Sequence, residues 1–452
     1  MEIAEFSGAV LEPGDEDFET ARQIWNGDIQ RRPAAIARCT GTADVLAAVR
    51  FARERDLPIA VRSGGHSGPG FGTVDDGLVI DLSRMHDVRV DPAAGTARVS
   101  GGATLADLDH ATHAFGLATP TGIVSTVGVA GLTLGGGHGH LTRRFGLTID
   151  NLLEADVVLP NGEFVTTSAK SEPDLFWALR GGGGNFGVVT SLVLGLHPVS
   201  TVVAGPTLYE FERAAGVLRW YREFMAGAPD ELSGFFAFLT VPPAPPFPPS
   251  LHFRKLCGIV WCYAGPPDQA DRVFEPVRAF GPPLLFGVQP MPYPVLQSTF
   301  DALYPPGLQW YWRADLLDDI TDEAVDVHVR HAAELPTLHS TVHFYPIDGA
   351  AHRVGADETA FTHRDARWSM MIAGVDPFPA HADRLRDWVN DYWKAVHPHS
   401  AGAAYVNFLM DEGTDRIRAT YGANYERLAR IKARFDPDNV FRLNQNIEPT
   451  SG

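Results

Sequence analysis

Cysteine is scarce in this sequence: Cys39, Cys257 and Cys262 are the only three in 452 residues. An odd number without CxxC spacing argues against a disulfide framework and against a zinc site. It fits a reducing compartment. Clustered Lys or Arg is also missing. Acidic residues outnumber basic ones 55 to 37, for a formal net charge of −18. A field of that sign repels phosphate backbones and anionic lipid heads, so neither nucleic acid nor a membrane surface is an expected partner. No apolar stretch reaches the ~18 residues that span a bilayer. The N-terminal stretch shows neither the basic nor the apolar region of a secretory leader. The expectation is a soluble, cytoplasmic protein. The P-loop, GxSxG and HExxH patterns are absent as well, which leaves no motif for a P-loop nucleotidase, a serine hydrolase or a zinc peptidase.

What is present is the material of a large core: 45% of residues are hydrophobic and 20% charged. That excludes a disordered or fibrous chain, and the length predicts roughly two to three domains. Glycine (45) and proline (34) are abundant and clustered, as in loops with a task. The spacing of Val45, Leu46, Val49 and Ala52 predicts a helix over 42–56, with Thr42 as its N-cap. Strands are expected at 58–62 and 77–82, and a hairpin around 88–99. A helix is expected over Thr104 to Phe115. Asn161-Gly162 predicts a hairpin turn within 155–167. Pro173 opens a short helix ending near Arg180.

Beyond residue 200 the texture changes. A proline-rich loop is expected at 242–249. The segment 205–400 carries most of the tryptophan and alternates strand-like and helix-like runs. In the last fifty or so residues, Tyr421, Tyr425, Leu428, Ile431 and Phe435 mark the apolar face of one helix, which Asp436-Pro437 terminates. The division expected is 1–200, 201–400 and 401–452.

Three glycine-rich loops sit between regular elements in the first 200 residues, at 63–72, 121–140 and 181–187. Glycine lets backbone N–H groups converge on an anion without a Cβ in the way, so a diphosphate-containing cofactor is the natural candidate. The GxGxxG at Gly182–Gly187 follows a helix and precedes a strand. That is the reverse of a dinucleotide fingerprint, and it reads as a tight turn. His138 and His140 flank Gly139 but have no acidic or cysteine partner at ligand spacing, so no metal is expected. His66 stands among small residues in Arg62–Gly68 and is presented to whatever that loop holds.

Taken together, four stretches resemble the berberine-bridge-enzyme-like flavoproteins of the vanillyl-alcohol-oxidase (VAO/PCMH-type) superfamily. They are RSGGHS with the following DDGLVIDLSRM, VGVAGLTLGGGHGHLTRRFGLTIDN, DLFWALRGGGGNFGVVTSL, and the C-terminal YVNF with YGANYERLARIKARFDPDNVFRLNQNI. The resemblance implies an α+β fold: a two-lobed FAD-binding domain plus a substrate domain with an antiparallel sheet covered by helices, the last segment returning to the FAD domain. It implies FAD, bound covalently through His66. Many members carry a second, cysteinyl link at the position of Val124. Valine cannot form one, so a single tether is expected.

The resemblance also implies cofactor contacts. From the first loop these come from Arg62, Ser63, Gly64, Gly65, His66 and Ser67. The second loop adds Val124, Ser125, Val127, Gly128 and Gly131, followed by Gly136, Gly137, His138 and Gly139. Further along are Gly187, Val188 and Val189, then Tyr405 and Asn407, and finally Asn444 and Asn446. Valine at the position of Val127 goes with reaction with O2 in this family. Tyr405 matches the first tyrosine of a YxN(Y/F) motif and is the candidate base, with His138 and His140 as pocket residues able to assist. A phenol has a pKa of about 10, so a base near neutral pH needs it lowered. The motif's second tyrosine is Phe408 here.

The function implied is oxidation of an alcohol-type carbon of a sugar or a natural-product intermediate, with electrons passing to O2. The alternatives are a dehydrogenase using another acceptor and an FAD-binding protein without turnover. Peroxide release separates the first two, and bleaching of the flavin by a substrate excludes the third. Trp310, Tyr311, Trp312 and His343 are unranked candidates for choosing a small-molecule substrate. The sequence leaves oligomeric state unassigned.

Overall fold

A computed structural model describes residues 1–244 and 247–450, so Pro245 and Pro246 of the proline-rich stretch lie outside the described residues. Three main sheets organise the chain. The first has four strands in the order Ala9–Leu11, Ala35–Arg38, Leu78–Asp81 and Ile59–Arg62. The last three of these run parallel. Parallel neighbours need a crossover, and the helix Thr42–Glu54 supplies it. Its N-cap is Gly41 rather than the expected Thr42. The Asp44 carboxylate takes the backbone N–H of Thr40 at 2.8 Å and of Ser7 at 2.7 Å.

The second sheet is antiparallel, in the order Val88–Asp91, Thr96–Ser100, Val188–Gly195, Leu152–Val158 and Phe164–Ser168. Both expected hairpins are present, the second closing where Gly162 takes a positive φ of 78°. The helix Leu105–His113 is capped by Thr104, whose hydroxyl and backbone engage Asp107 reciprocally.

The third sheet has eight antiparallel strands, with Thr341–Pro346 between Leu232–Thr240 and Trp368–Asp376. Strand side chains alternate between the two faces, and the sequence TVHFYP uses both. Val342 and Phe344 pack into an apolar core with Phe236, Trp261, Val389 and Tyr392 from strands and covering helices. Thr341, His343 and Tyr345 face the other way, into a cavity.

The C-terminal segment packs back on the N-terminal region: Tyr425 and Leu428 share a core with Leu175 and Phe176. The expected single helix is two. Thr414–Tyr421 ends at Gly422, a three-residue turn intervenes, and Tyr425–Phe435 follows. Gly422 has a φ of 48° and breaks the helix. Lys432 and Asp436 form a fully buried ion pair at 2.6 Å, and Lys432 also donates to the Asn185 carbonyl at 2.7 Å. This anchors the C-terminal helix to the third glycine loop. Among the described residues, no helix is long and apolar enough to cross a membrane. The three cysteines are unpaired and buried.

Candidate active site

A cavity of about 390 Å³ runs between the glycine loops and the inner face of the eight-stranded sheet. That is within the usual size of a small-molecule site. Its first end is backbone. A Cβ on Gly64 would lie 2.3 Å from the Gly128 nitrogen, so the first two glycine loops touch main chain to main chain. Arg62 is held by Asp81 at 2.8 Å, at the adjoining ends of paired strands, and this fixes where the first loop begins. The Ser63 hydroxyl is buried there with no partner among the described residues. Gly131 and Gly184 line the space, and a Cβ on either would meet nothing within 4 Å. An unpartnered hydroxyl, bare backbone and open volume fit a diphosphate group.

His66 stands over this end. Its Nε2 lies 2.9 Å from the Thr126 hydroxyl, and its ring stacks on Trp25 at 4.6 Å. Burial pushes the imidazole down to about 3, so it is neutral near pH 7. With Nε2 engaged by Thr126, Nδ1 has no protein partner among the described residues. Val124 and Val127 line the same stretch.

At the other end stands Tyr405, just before a short turn at Val406–Phe408. Its phenol oxygen accepts the Gly137 N–H at 2.9 Å and the Asn407 amide at 2.7 Å. His138 packs on the Tyr405 ring at 4.5 Å and on Tyr345 at 5.1 Å, with Nε2 3.1 Å from the Ser369 hydroxyl. Burial drives the His138 imidazole down to about 3. The Tyr405 phenol is not lowered, as a base near neutral pH would need. Burial pushes the phenol above its usual range and outweighs the two donors, which pull it down. As folded, Tyr405 is a neutral phenol.

The predicted contacts divide. Arg62 to Ser67, Gly128, Gly131, Gly187, Val189, Asn407 and Asn444 line the cavity. Ser125 does not: its hydroxyl and N–H turn to Asp301, at 2.5 and 3.1 Å. Gly136, Gly137 and Gly139 shape the loop behind Tyr405 without lining the space. Gly137 packs against Thr148, where a Cβ would fall 2.0 Å from the hydroxyl oxygen. Val188 points into the core with Ile59 and Leu78, because neighbours along a strand alternate. Asn446 lies off the cavity. His140 does too: it is buried near the Phe235 ring at 6.2 Å, two residues beyond the one that reaches the site. Trp310, Trp312 and His343 line the cavity. Tyr311 turns to the helix side, donating to Asn390 at 3.2 Å.

Sequence reasoning missed Trp25, Phe300, Tyr304, Tyr345 and Gln445, all of which line the cavity. Tyr345 had a signal, since it shares a strand face with His343. The others come from irregular segments with no local pattern. Among the described residues, no cluster of acidic, His or Cys side chains is arranged to hold a metal ion.

Comparison with known proteins assigns the class first. The sequence profile described as "FAD binding domain" matches residues 33–168, and the one described as "Berberine and berberine like" matches 404–448. The chain is 32% identical to an FAD-linked oxidoreductase of Dictyostelium discoideum, over 98% of this chain and 95% of that one. It is 29% identical to a carbohydrate oxidase of Microdochium nivale, over 97% and 92%. The crystal structure of 6-hydroxy-D-nicotine oxidase from Arthrobacter nicotinovorans superposes with a TM-score of 0.88 at 27% identity, covering 98% of each chain. The protein is thus an FAD-binding oxidoreductase. It belongs to the berberine-bridge-enzyme-like family of the VAO/PCMH fold.

Proposed function

We propose that this protein is an oxidase that removes a hydride from an alcohol-type carbon of a small molecule, with FAD tethered through His66 alone and O2 as the final acceptor. The observation that carries the reading is the cavity itself. Tyr405 and His138 stand at one end of a space whose other end is the glycine cradle under His66.

Residues 1–200 and 401–452 hold the cofactor in this reading, and 201–400 supply the substrate wall. FAD, when bound, accepts the hydride and passes the electrons on. The chain's own task is to position and to handle a proton. Ser63 and the backbone of Gly64, Gly65 and Gly128 would hold the diphosphate. The two N–H donors on the Tyr405 oxygen orient the phenol and favour its anion. Neutral His138 packs on that ring and holds it in place. The aromatic wall excludes water.

Val127 at the cavity favours O2 as acceptor over another oxidant, because its short side chain leaves room beside the cofactor. The test is a screen of candidate alcohols for flavin bleaching and for peroxide. One peroxide per substrate oxidised is the expected result. Bleaching without peroxide in air would replace the oxidase with a dehydrogenase, and a protein purified without flavin would remove the reading altogether.

A further inference from the structure

The substrate half of the cavity has an unusual electrical character. Of the described residues lining the space, Arg62 alone carries a permanently ionised side chain, and it is already paired with Asp81 under the glycine loop. Nothing on the sheet side offers a countercharge. A carboxylate or an ammonium placed there would lose its hydration without compensation, which costs several kcal/mol or more. The site therefore selects uncharged molecules.

The walls are rings. From His343 a continuous line of contacts runs through Tyr345 at 5.4 Å and His138 at 5.1 Å to Tyr405 at 4.5 Å. Phe300, Trp312 and Phe408 complete the enclosure. Polar groups are few, and most are already used. The Thr341 hydroxyl donates to the Phe238 carbonyl at 2.8 Å, and the Trp312 indole donates to the Phe408 carbonyl at 2.9 Å.

Among the few that remain free, one edge stands within the line of rings. The Nδ1 of His343 is 2.5 Å from the Tyr345 hydroxyl. Burial keeps His343 neutral and the phenol protonated; the phenol has no other acceptor among the described residues, so it donates to Nδ1 and the ring proton sits on Nε2. Nε2 has no protein partner among the described residues, and His343 lines the cavity. A sugar ring carries a hydroxyl on nearly every carbon. Each one left unpaired on burial costs about 1–3 kcal/mol. The groups free along this wall, the His343 edge, the Trp310 indole N–H and the Tyr304 hydroxyl, are too few for such a ring. The His343 edge does satisfy a flat aromatic molecule with one oxygen at its far end.

Resting on the reading of this cavity as the oxidase's substrate site, we infer that the substrate is a neutral, planar aromatic compound rather than a carbohydrate, with a hydroxyl or carbonyl oxygen held by His343 Nε2 and set in orientation by Tyr345.

The test is equilibrium dialysis of the holoprotein at pH 7 with four probes: 2-naphthol, naphthalene, 2-naphthoate and cellobiose. 2-Naphthol is expected to bind at least about tenfold more tightly than 2-naphthoate or cellobiose, a difference of about 1.4 kcal/mol. His343→Ala is expected to weaken 2-naphthol by about tenfold while leaving naphthalene unchanged, and His343→Gln, which keeps an N–H donor, to restore binding. If the alanine variant does not fold, His343→Phe keeps the ring and removes both nitrogens for the same comparison. Cellobiose binding as tightly as 2-naphthol would overturn the inference, as would undetectable 2-naphthol binding or equal weakening of 2-naphthol and naphthalene by the variant. Dialysis reads neither flavin reduction nor peroxide, so this result and the failure of the oxidase reading are separately visible.

Discussion

The hydroxyl of Tyr405 accepts the backbone N–H of Gly137 at 2.9 Å, across 268 residues of sequence. This contact joins the C-terminal segment to the second glycine loop. It places a phenol oxygen under two donors inside a buried space. The donors favour the anion and the burial opposes it, and burial wins. That balance shapes the first two predictions.

Tyr405→Phe should keep the fold and the flavin while lowering kcat. The loss of a positioned proton-transfer group typically costs about 10²–10⁴-fold. Stopped-flow bleaching of the flavin measures it, and an unchanged bleaching rate would remove Tyr405 from the chemistry.

The pH profile follows from the raised phenol. If the anion is the active form, kcat/KM should climb about tenfold per pH unit through the neutral and alkaline range. Burial holds His138 at about 3 and His343 at about 3, so neither should add a step between pH 5 and 8. A flat profile in the wild type would assign proton transfer elsewhere.

His66→Ala should give protein whose flavin leaves on acid precipitation, while wild-type flavin stays with the pellet. Flavin absorbance in the supernatant is the readout. Release from wild type would refute the tether. A slower bleaching step in the variant would indicate that the link also tunes the cofactor.

Gly64→Ala and Gly131→Leu test the cradle in different ways. The first puts a methyl 2.3 Å from the Gly128 nitrogen and must push the facing backbones apart, which lowers thermal stability as well as flavin content. The second adds a side chain into open space and should lower flavin content alone. Flavin-to-protein ratios and melting temperatures distinguish the two.

Asp109 is buried beside Gln297 and pushed up to about 7 by desolvation, with one carboxylate oxygen unpartnered. Its folded pKa lies above the unfolded value of about 3.9. The unfolded state releases this proton first, so the group destabilises the fold progressively as pH rises from about 4 to 7, and fully above that. Asp109→Asn should therefore raise the melting temperature at pH 8 and have little effect at pH 4. The opposite trend would mean that Asp109 is ionised and paired in the fold.

The glycine loops and the two hairpins were legible because their chemistry is local. A turn that needs positive φ or close backbone approach needs glycine at that position, and Asn161-Gly162 states its turn outright. The capped helix after Thr104 was legible for the same reason. The C-terminal helix was less so: the spacing of Tyr421, Tyr425 and Leu428 holds across the break at Gly422, since both helices bury those residues in one core. His138 and His140 look alike in sequence, yet one reaches the cavity and the other packs near Phe235. Nothing in a loop's residue types says which way its second histidine turns.

The sequence alone determined where backbone must come close, that position 66 offers an imidazole, and that Val124 has no sulfur for a cysteinyl link. Those facts follow from the presence or lack of single atoms: a Cβ, an imidazole nitrogen, a sulfur. The tertiary structure decided what shares the cavity with them. Trp25, Phe300 and Tyr405 come from irregular segments distant in the chain, and they meet His343 and Tyr345, which an antiparallel sheet turns to the same face. It also decided the protonation states, because desolvation depends on the neighbours that folding brings and not on the residue that titrates.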